Sequence, residues 1–154
     1  MRLPRDRLRA GEFAPPAGRP VPRPSDPRKR RRAERQGRRA ERFAALALVL
    51  AGWRVVARNH GGGTGRGGRA GEADIIARRG DLVAIVEVKA RPTLRAAHDA
   101  VGEAAWRRIE AAGDDWLMRR ADAARLSIRY DLVWVPVPIR PWRWPVRVRG
   151  AWSP

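Results

Sequence analysis

The sequence predicts an α/β domain in which helices flank a mixed β-sheet with a hairpin at its centre. Residues 71–89 contain two short, apolar, β-branched runs separated by a turn at Gly80, which is the pattern of a β-hairpin. Residues 32–51 and 100–120 carry apolar residues at three- and four-residue spacing, which is typical of amphipathic helices. Because the second helix joins the hairpin to a further strand, we expect a helical crossover within the sheet.

The chain is long enough for one domain and is strongly basic. It has 154 residues, with 34 Lys or Arg against 16 Asp or Glu and a formal net charge of +18. Such a charge favours a polyanionic partner, most simply nucleic acid, with an acidic membrane surface as the competitor. Cysteine is absent, which excludes disulfides, thiolate zinc sites and cysteine nucleophiles.

No segment of the sequence indicates a membrane protein. The longest apolar run, Phe43–Ala51, is too short to span a bilayer. No secretory apolar segment follows the N-terminal charges. We therefore expect a cytoplasmic location and no membrane partner.

Residues 1–36 are predicted to be a disordered, basic arm rich in Pro and Arg, ahead of a single domain over residues 37–154. The arm holds seven of the 13 prolines and almost no apolar periodicity. Its basic run Arg28–Arg32 could bind nucleic acid through phosphate contacts, or the arm could be a dispensable tail.

The first predicted helix covers about Arg32 to Ala51 and ends before Gly52, a residue typical of helix C-caps. Glu41 lies at the border of its apolar stripe. The stripe consists of Ala40, Phe43, Ala44, Ala47, Leu50 and Ala51. Trp53–Asn59 follows as the first predicted strand.

The segment 61–71 is rich in glycine and arginine. It lacks the Gly-Lys-Ser/Thr ending of a phosphate-binding loop, and no helix follows it, so we do not interpret it as a nucleotide site. It is better explained as a flexible connection whose Arg66 and Arg69 could touch a phosphate backbone.

After the hairpin, Thr93–Asp99 is predicted to be a connection and Ala100–Arg120 a second helix, although Gly113 weakens the continuity of this helix. Arg107 and Arg108 lie on the exposed side of this helix. An ordinary solvated face and a DNA contact are both open interpretations of these arginines. Two further strands are predicted, at residues 128–136 and, as an edge strand, at residues 146–150.

Three charges interrupt the apolar runs of the hairpin: Asp74, Glu87 and Lys89. Glu87 and Lys89 are two residues apart and therefore share one face of their strand. A two-residue turn at Arg79-Gly80 would place Glu72 opposite Glu87. Asp74 would then be diagonal to Glu87 on the same face. A sheet interior rarely accepts two or three acids beside one lysine without a counter-charge such as a metal ion.

Lys89 is unusual in this chain, because only two of the 34 basic residues are lysines. Unlike arginine, a lysine can shift its pKa and acts as a compact charge. The competing interpretation is a surface Glu-x-Lys pair without any chemistry.

Two carboxylates on adjacent strands are suitable ligands for Mg²⁺ or Mn²⁺, with phosphate oxygens and waters completing the coordination. Such an ion would lower the pKa of a bound water and hold a phosphodiester oxygen. Lys89 could position the attacking water or stabilise the developing negative charge. The pattern therefore favours phosphodiester hydrolysis on a polyanion.

Asp74, followed after twelve residues by Glu87-Val-Lys89, resembles the core motif of the PD-(D/E)xK nuclease superfamily. From about residue 37 to its end, the chain more closely resembles the YraN-like family of bacterial proteins. The matching stretches are Glu41–Ala44, Gly52-Trp53, Arg58-Asn59, Gly71–Arg78, Val86–Arg91, Ala100-Val101, Arg129–Asp131 and Ala151-Trp152. The resemblance implies a restriction-endonuclease-like core, as in Holliday-junction resolvases.

The resemblance also implies roles for single residues. Asp74 and Glu87 would be metal ligands, and Lys89 the catalytic lysine. Glu41, from the first helix, would be an additional acid at the metal and at the reaction. Arg91, just after this motif, is a further candidate phosphate contact.

We therefore expect an endonuclease that uses Mg²⁺ or Mn²⁺ and acts on DNA, including branched or structured DNA. A junction-cutting role would favour a two-fold homodimer. One alternative is a nucleic-acid-binding protein of the same fold with little or no catalytic activity. Another is a basic module for acidic lipid or ribosomal RNA, although the first helix is too rich in alanine for strong membrane insertion.

Overall fold

The structure of the protein is a computed structural model that describes residues 26–61 and 72–154. Most of the predicted arm and nearly all of the glycine-rich segment, including Arg66 and Arg69, lie outside the described residues. Within the described ranges, no helix is both long enough and apolar enough to cross a bilayer.

Among the described residues, five strands form one mixed sheet, and their order in space is their order in sequence. The strands are β1 (Arg54–His60), β2 (Ala73–Arg79), β3 (Leu82–Arg91), β4 (Ser127–Pro136) and β5 (Val146–Trp152). The pair β3–β4 is parallel, and the other three pairs are antiparallel. The α/β class, the internal hairpin β2–β3 and the crossover to a parallel strand are thus confirmed. The arrangement is compatible with a restriction-endonuclease-like core.

The first helix, α1 (Pro27–Leu50), begins earlier than predicted. The prediction that residues 27–36 are disordered is therefore wrong. Asp26 caps the helix, since its side chain accepts a hydrogen bond of 2.9 Å from the backbone N–H of Arg28. Pro27 takes the first helical position, where a missing N–H costs nothing. Arginine is itself a good helix former, so the basic run extends the helix instead of ending it.

The connection between β3 and β4 contains two helices, α2 (Leu94–Asp99) and α3 (Glu103–Met118), and a short 3₁₀ turn at Ala123–Arg125. Thr93–Asp99, predicted as a connection, contains the short helix α2, at whose start the Thr93 side chain accepts a hydrogen bond of 3.1 Å from the backbone N–H of Ala96. The predicted second helix is confirmed with narrower bounds.

Each face of the sheet is covered by one apolar cluster. On the first face, Ala40, Ala44 and Leu48 of α1 pack against strand residues such as Ile75 and Val86. On the opposite face, α3 packs through Trp106, Ile109 and Trp116. Helices therefore flank the sheet on both sides, as expected.

Gly113 explains how α3 approaches the sheet. A Cβ atom at this position would lie 3.2 Å from Cγ1 of Ile85, a fully buried residue of β3. Gly113 therefore allows α3 to pack closely on the sheet and does not break the helix.

The hairpin has a different register from the predicted one. Arg79 lies opposite Leu82, so the two turn residues are Gly80 and Asp81. Gly80 has a φ of 61° and occupies the first turn position, not the second as predicted. The prediction that Glu72 lies opposite Glu87 is therefore wrong. Ile75 lies opposite Val86, so continuing this pairing by one residue brings Asp74 opposite Glu87. The observed pairing differs from the predicted one by two residues, and each side chain therefore stays on the predicted face of the sheet.

Candidate functional site

A cleft opens at the end of the sheet where β2 begins and β3 ends, beneath residues 33–41 of α1. Its volume is about 280 Å³. The helix contributes Ala33, Gln36, Gly37, Ala40 and Glu41, and the strands contribute Asp74 and the residues 88–91. Because the facing helix residues are mostly small, the cleft has room between α1 and the strand ends.

Asp74 is partly buried at the start of β2. Its Oδ2 atom accepts a hydrogen bond of 2.7 Å from the backbone N–H of Val88, which fixes the carboxylate against the neighbouring strand. The side chain is thereby held at the open end of the hairpin, beside the part of β3 that carries Glu87 and Lys89.

Glu87 and Lys89 form a charged pair beside Asp74. Glu87 is only 8% exposed, although it belongs to the apolar strand β3. The Nζ atom of Lys89 donates a hydrogen bond to Oε1 of Glu87. Lys89 also lines the cleft. The buried glutamate therefore holds the lysine at the cleft wall.

Glu41 reaches the cleft from α1. Its Oε2 atom accepts a long hydrogen bond of 3.5 Å from Nδ2 of Asn59, at the end of β1. Asn59 has a positive φ of 50°, which asparagine tolerates better than most residues. Glu41 is half-buried and shares the cleft with Asp74.

The electrostatics of the cleft show an excess of negative charge. Burial, followed by the charge of Glu87, raises the pKa of Asp74 from 3.8 to about 7. The Val88 N–H and the Lys89 ammonium oppose this rise in the pKa, while Glu41 adds weakly to it. One lysine thus does not offset the three acids, and a bound cation would favour the ionised form of Asp74.

The donor set fits a Mg²⁺ or Mn²⁺ ion that takes most of its ligands from elsewhere. Over residues 26–61 and 72–154, no group of three or more His, Cys, Asp or Glu side chains is close enough to hold a metal. Asp74 and Glu87 nevertheless each use one carboxylate oxygen in a hydrogen bond, which leaves the other oxygen available. Mg²⁺ is commonly bound by one or two carboxylates together with waters and substrate phosphates.

The predicted arginine contacts are distributed over different parts of the molecule. Arg91 lines the cleft and is exposed. Arg107 and Arg108 are exposed on α3, which covers the other face of the sheet, and Arg107 pairs with Glu103 at 2.8 Å. The structure therefore brings Arg91, but neither arginine of α3, to the site. Glu72 is exposed next to the start of β2.

Asp131 is a buried acid whose environment the sequence analysis missed. It is fully buried in β4, where Arg129 binds both of its oxygens at 2.8 and 2.9 Å. The backbone N–H of Gly150 donates a further hydrogen bond of 3.0 Å to it. Arg129 and Asp131 are two residues apart on one strand and therefore share a face, as Glu87 and Lys89 do. This spacing of opposite charges is visible in the sequence and could have indicated the pair. Their partners identify a structural ion pair that ties β5 to β4.

Comparison with known proteins shows one consistent similarity. Residues 40–135 match the model of the family described as "Uncharacterised protein family UPF0102". A UPF0102 protein of Mesorhizobium japonicum is 53% identical over 109 residues, which cover 71% of this chain and 79% of the relative. A UPF0102 protein of Chelativorans sp. is 53% identical over 111 residues, covering 72% and 82%. One from Brucella canis is 54% identical over 107 residues, covering 70% and 77%.

Proposed function

The chain belongs to the UPF0102 family, and we propose that it is a metal-dependent endonuclease that hydrolyses phosphodiester bonds of DNA. The observation that carries the proposal is that Asp74 and Lys89 line one cleft, that the buried Glu87 binds Lys89 behind its wall, and that the pKa of Asp74 is raised to about 7. A perturbed carboxylate in a cleft is typical of a functional site.

Each residue has a distinct role in this proposal. Asp74 and Glu87 would hold Mg²⁺ or Mn²⁺, with Glu41 as a third acid at the edge of the cleft. When bound, such an ion would supply a charge that lowers the pKa of a water and neutralises the phosphate oxygens. Lys89, positioned by Glu87, donates hydrogen bonds to the negative charge that develops on the phosphate. Arg91 contacts the neighbouring phosphate at the mouth of the cleft.

A polyanionic substrate follows from the charge of the whole chain. With a formal net charge of +18, the protein attracts nucleic acid at long range and concentrates it near the cleft. The resemblance to junction resolvases makes a branched duplex the substrate we propose, and a two-fold homodimer the form that cuts it.

One observation favours a second candidate function, a DNA-binding protein without cleavage activity. Lys89 is already engaged by Glu87, and the described residues contain no three-ligand metal cluster. In that case the same cleft would bind phosphate without activating water.

The test is an incubation series with supercoiled, linear, single-stranded and four-way-junction DNA in Mg²⁺, Mn²⁺ or EDTA. We expect cleavage of at least one substrate that EDTA abolishes, and a loss of about 100-fold or more in Lys89→Ala and Glu87→Gln, since charge stabilisation of this type contributes about 10²–10³ in rate. Glu72→Gln is the matched control, because this acid is exposed outside the cleft. Binding without cleavage in any metal would support the second candidate.

A further inference from the structure

The N-terminal half of α1 carries a row of arginines that the proposed active site does not use. Successive residues of a helix are about 100° apart, so positions spaced by three, four and seven share one side. Five of the exposed arginines of α1 that fall on one side in this way extend to the middle of the helix, and we call these five the outer arginine face. They are Arg31, Arg35, Arg38, Arg39 and Arg42. The last four surround one surface groove of about 370 Å³.

The outer arginine face has no counter-charge among the described residues. Of the two glutamates of α1, Glu34 pairs with Arg30 at 3.1 Å, and Glu41 binds Asn59. None of the five arginines forms an ion pair with a carboxylate in the part of the chain that the structure describes. Their mutual repulsion is therefore relieved only by solvent ions or by an anionic partner.

Most of this face points away from the candidate cleft, although Arg38 and Arg42 also line a neighbouring groove with Glu41 and Asn59. The side of α1 that packs on the sheet carries Ala40, Ala44 and Leu48, and the same side lines the cleft through Ala33 and Gly37. The outer arginines are about half a turn from these residues. The body of the helix, about 10 Å across, thus separates the arginine row from Asp74 and Lys89.

A duplex phosphate backbone is the partner that fits the row best. From Arg31 to Arg42 the arginines extend over roughly 16 Å of helix axis, at 1.5 Å per residue. Duplex DNA presents about one phosphate charge per 1.7 Å of its axis, and the guanidinium group suits bidentate phosphate contacts. Several of the arginines can therefore contact phosphates at once.

A membrane surface fits the same face less well. The apolar residues on this side, Leu46, Val49 and Leu50, are 50–68% exposed, but they follow the arginines along the helix. A helix that lies in a membrane interface has its apolar and basic residues on different sides around the axis. In α1 the basic and apolar residues of this side instead follow one another along the helix axis. The part of the helix that carries the arginines therefore has no apolar residues beside them to insert into a membrane.

We propose that the outer arginine face binds a second segment of duplex nucleic acid, one that is not cut, while the cleft holds another segment. The claim that the cleft holds the cut segment rests on the proposed function. Binding at the arginine face does not, because it needs neither metal nor Lys89. A protein with two such surfaces on opposite sides of one helix suits a branched substrate, whose arms diverge.

The first test measures binding in EDTA, by fluorescence anisotropy of a labelled four-way junction over a series of salt concentrations. The triple variant Arg35→Gln, Arg38→Gln, Arg42→Gln should lower the salt slope by about 2–3, at about 0.9 per lost phosphate contact, and weaken binding at least tenfold. The matched control is Arg95→Gln, Arg119→Gln, Arg125→Gln, which removes the same charge from exposed arginines outside α1. Equal losses in the two triple variants would overturn the proposal.

The second test asks whether the two surfaces contact different segments. The chain has no cysteine, so Arg38→Cys and Arg91→Cys each offer a single site for a photo-cross-linker. We expect cross-links from positions 38 and 91 to fall on different arms of the junction, in EDTA and without cleavage. Cross-links to the same nucleotides from both positions would contradict a second segment.

A third arm of the test addresses the membrane. Anionic vesicles containing phosphatidylserine should not compete with the junction for the protein at equal phosphate concentration. Vesicle binding that the α1 triple variant abolishes, with junction binding unchanged, would overturn the proposal in favour of a lipid surface. Because all three readouts are made without metal, an absence of cleavage would count against the proposed function and leave this inference standing.

Discussion

At the scale of single residues, folding places the carboxyl group of Asp74 in a partly buried position beside a second acid, Glu87, and this disfavours its ionised form. Burial and the neighbouring charge of Glu87 raise the pKa of Asp74 from 3.8 to about 7. An acid with a raised pKa in the folded state keeps a proton that the unfolded chain has released. The folded protein therefore loses stability as the pH rises from about 4 to about 7.

This sign leads to a prediction for Asp74→Asn in metal-free protein. The amide keeps the acceptor for the Val88 N–H but carries no charge, so it should stabilise the protein at pH 8 by roughly 1–3 kcal/mol. At pH 4 the gain should nearly vanish, because Asp74 is then protonated in the folded state. Urea unfolding at the two pH values measures both quantities. An Asn variant less stable than the wild type at pH 8 would show that Asp74 is not strained by its surroundings.

A second prediction at this scale concerns Asp131. Its carboxylate is fully buried and neutralises Arg129, so Asp131→Asn leaves a partly buried guanidinium without its partner. We expect a loss of about 2–4 kcal/mol in the free energy of unfolding, as for other broken buried pairs. Asp114→Asn, at an exposed position of α3, should change the stability by less than about 0.5 kcal/mol. Similar losses in the two variants would contradict the role of Asp131 in joining β5 to β4.

At the scale of elements, α1 combines three tasks in one helix. It packs on the sheet through alanines, lines the cleft through small residues and presents arginines to solvent. The apolar stripe of the sequence predicts the packed part of the helix. The first turns have no buried residue, and because a solvated helix shows no apolar periodicity, the sequence does not predict them. The signals that remain are the Asp26 cap and Pro27 at the first position.

The helical conformation of the part of α1 that lines the cleft can be tested at Gly37. This glycine lies in the helix, and a Cβ atom there would meet no atom within 4 Å. Gly37→Ala should therefore stabilise the protein by about 0.5–1 kcal/mol through helix propensity, without closing the cleft. The midpoint of urea unfolding measures this change. No gain in stability would indicate that residues near position 37 are not helical in solution.

The hairpin shows which part of the site could be predicted from sequence. Alternation of side chains placed Glu87 and Lys89 together, and their contact bears this out. The register could not be deduced, because Gly80 can occupy either of the two turn positions. The choice between the two turn positions shifts the pairing of β2 with β3 by two residues. Such a shift keeps each side chain on the same face of the sheet, but it moves Asp74 from a position diagonal to Glu87 to the position directly opposite Glu87.

At the scale of the whole molecule, the sequence predicted the class of fold, the mixed sheet and the order of its main elements. Periodicity identifies a helix or strand only where one side is buried, so the short helix α2, which is held by the Thr93 cap, was missed. Side-chain networks between distant strands, such as the one around Asp131, depend on tertiary packing and could not be derived from spacing alone. The net charge of +18 acts over the whole surface and is independent of these details.

The central claim is that the acids at the end of the hairpin form one metal centre, and its most direct test is Mn²⁺-induced broadening of amide NMR signals over the whole protein. We expect selective broadening of residues 73–75 and 87–91 at low Mn²⁺, and loss of this pattern in the double variant Asp74→Asn, Glu87→Gln. Broadening centred on other acids, such as those of α3, or an unchanged pattern in the double variant, would contradict the claim.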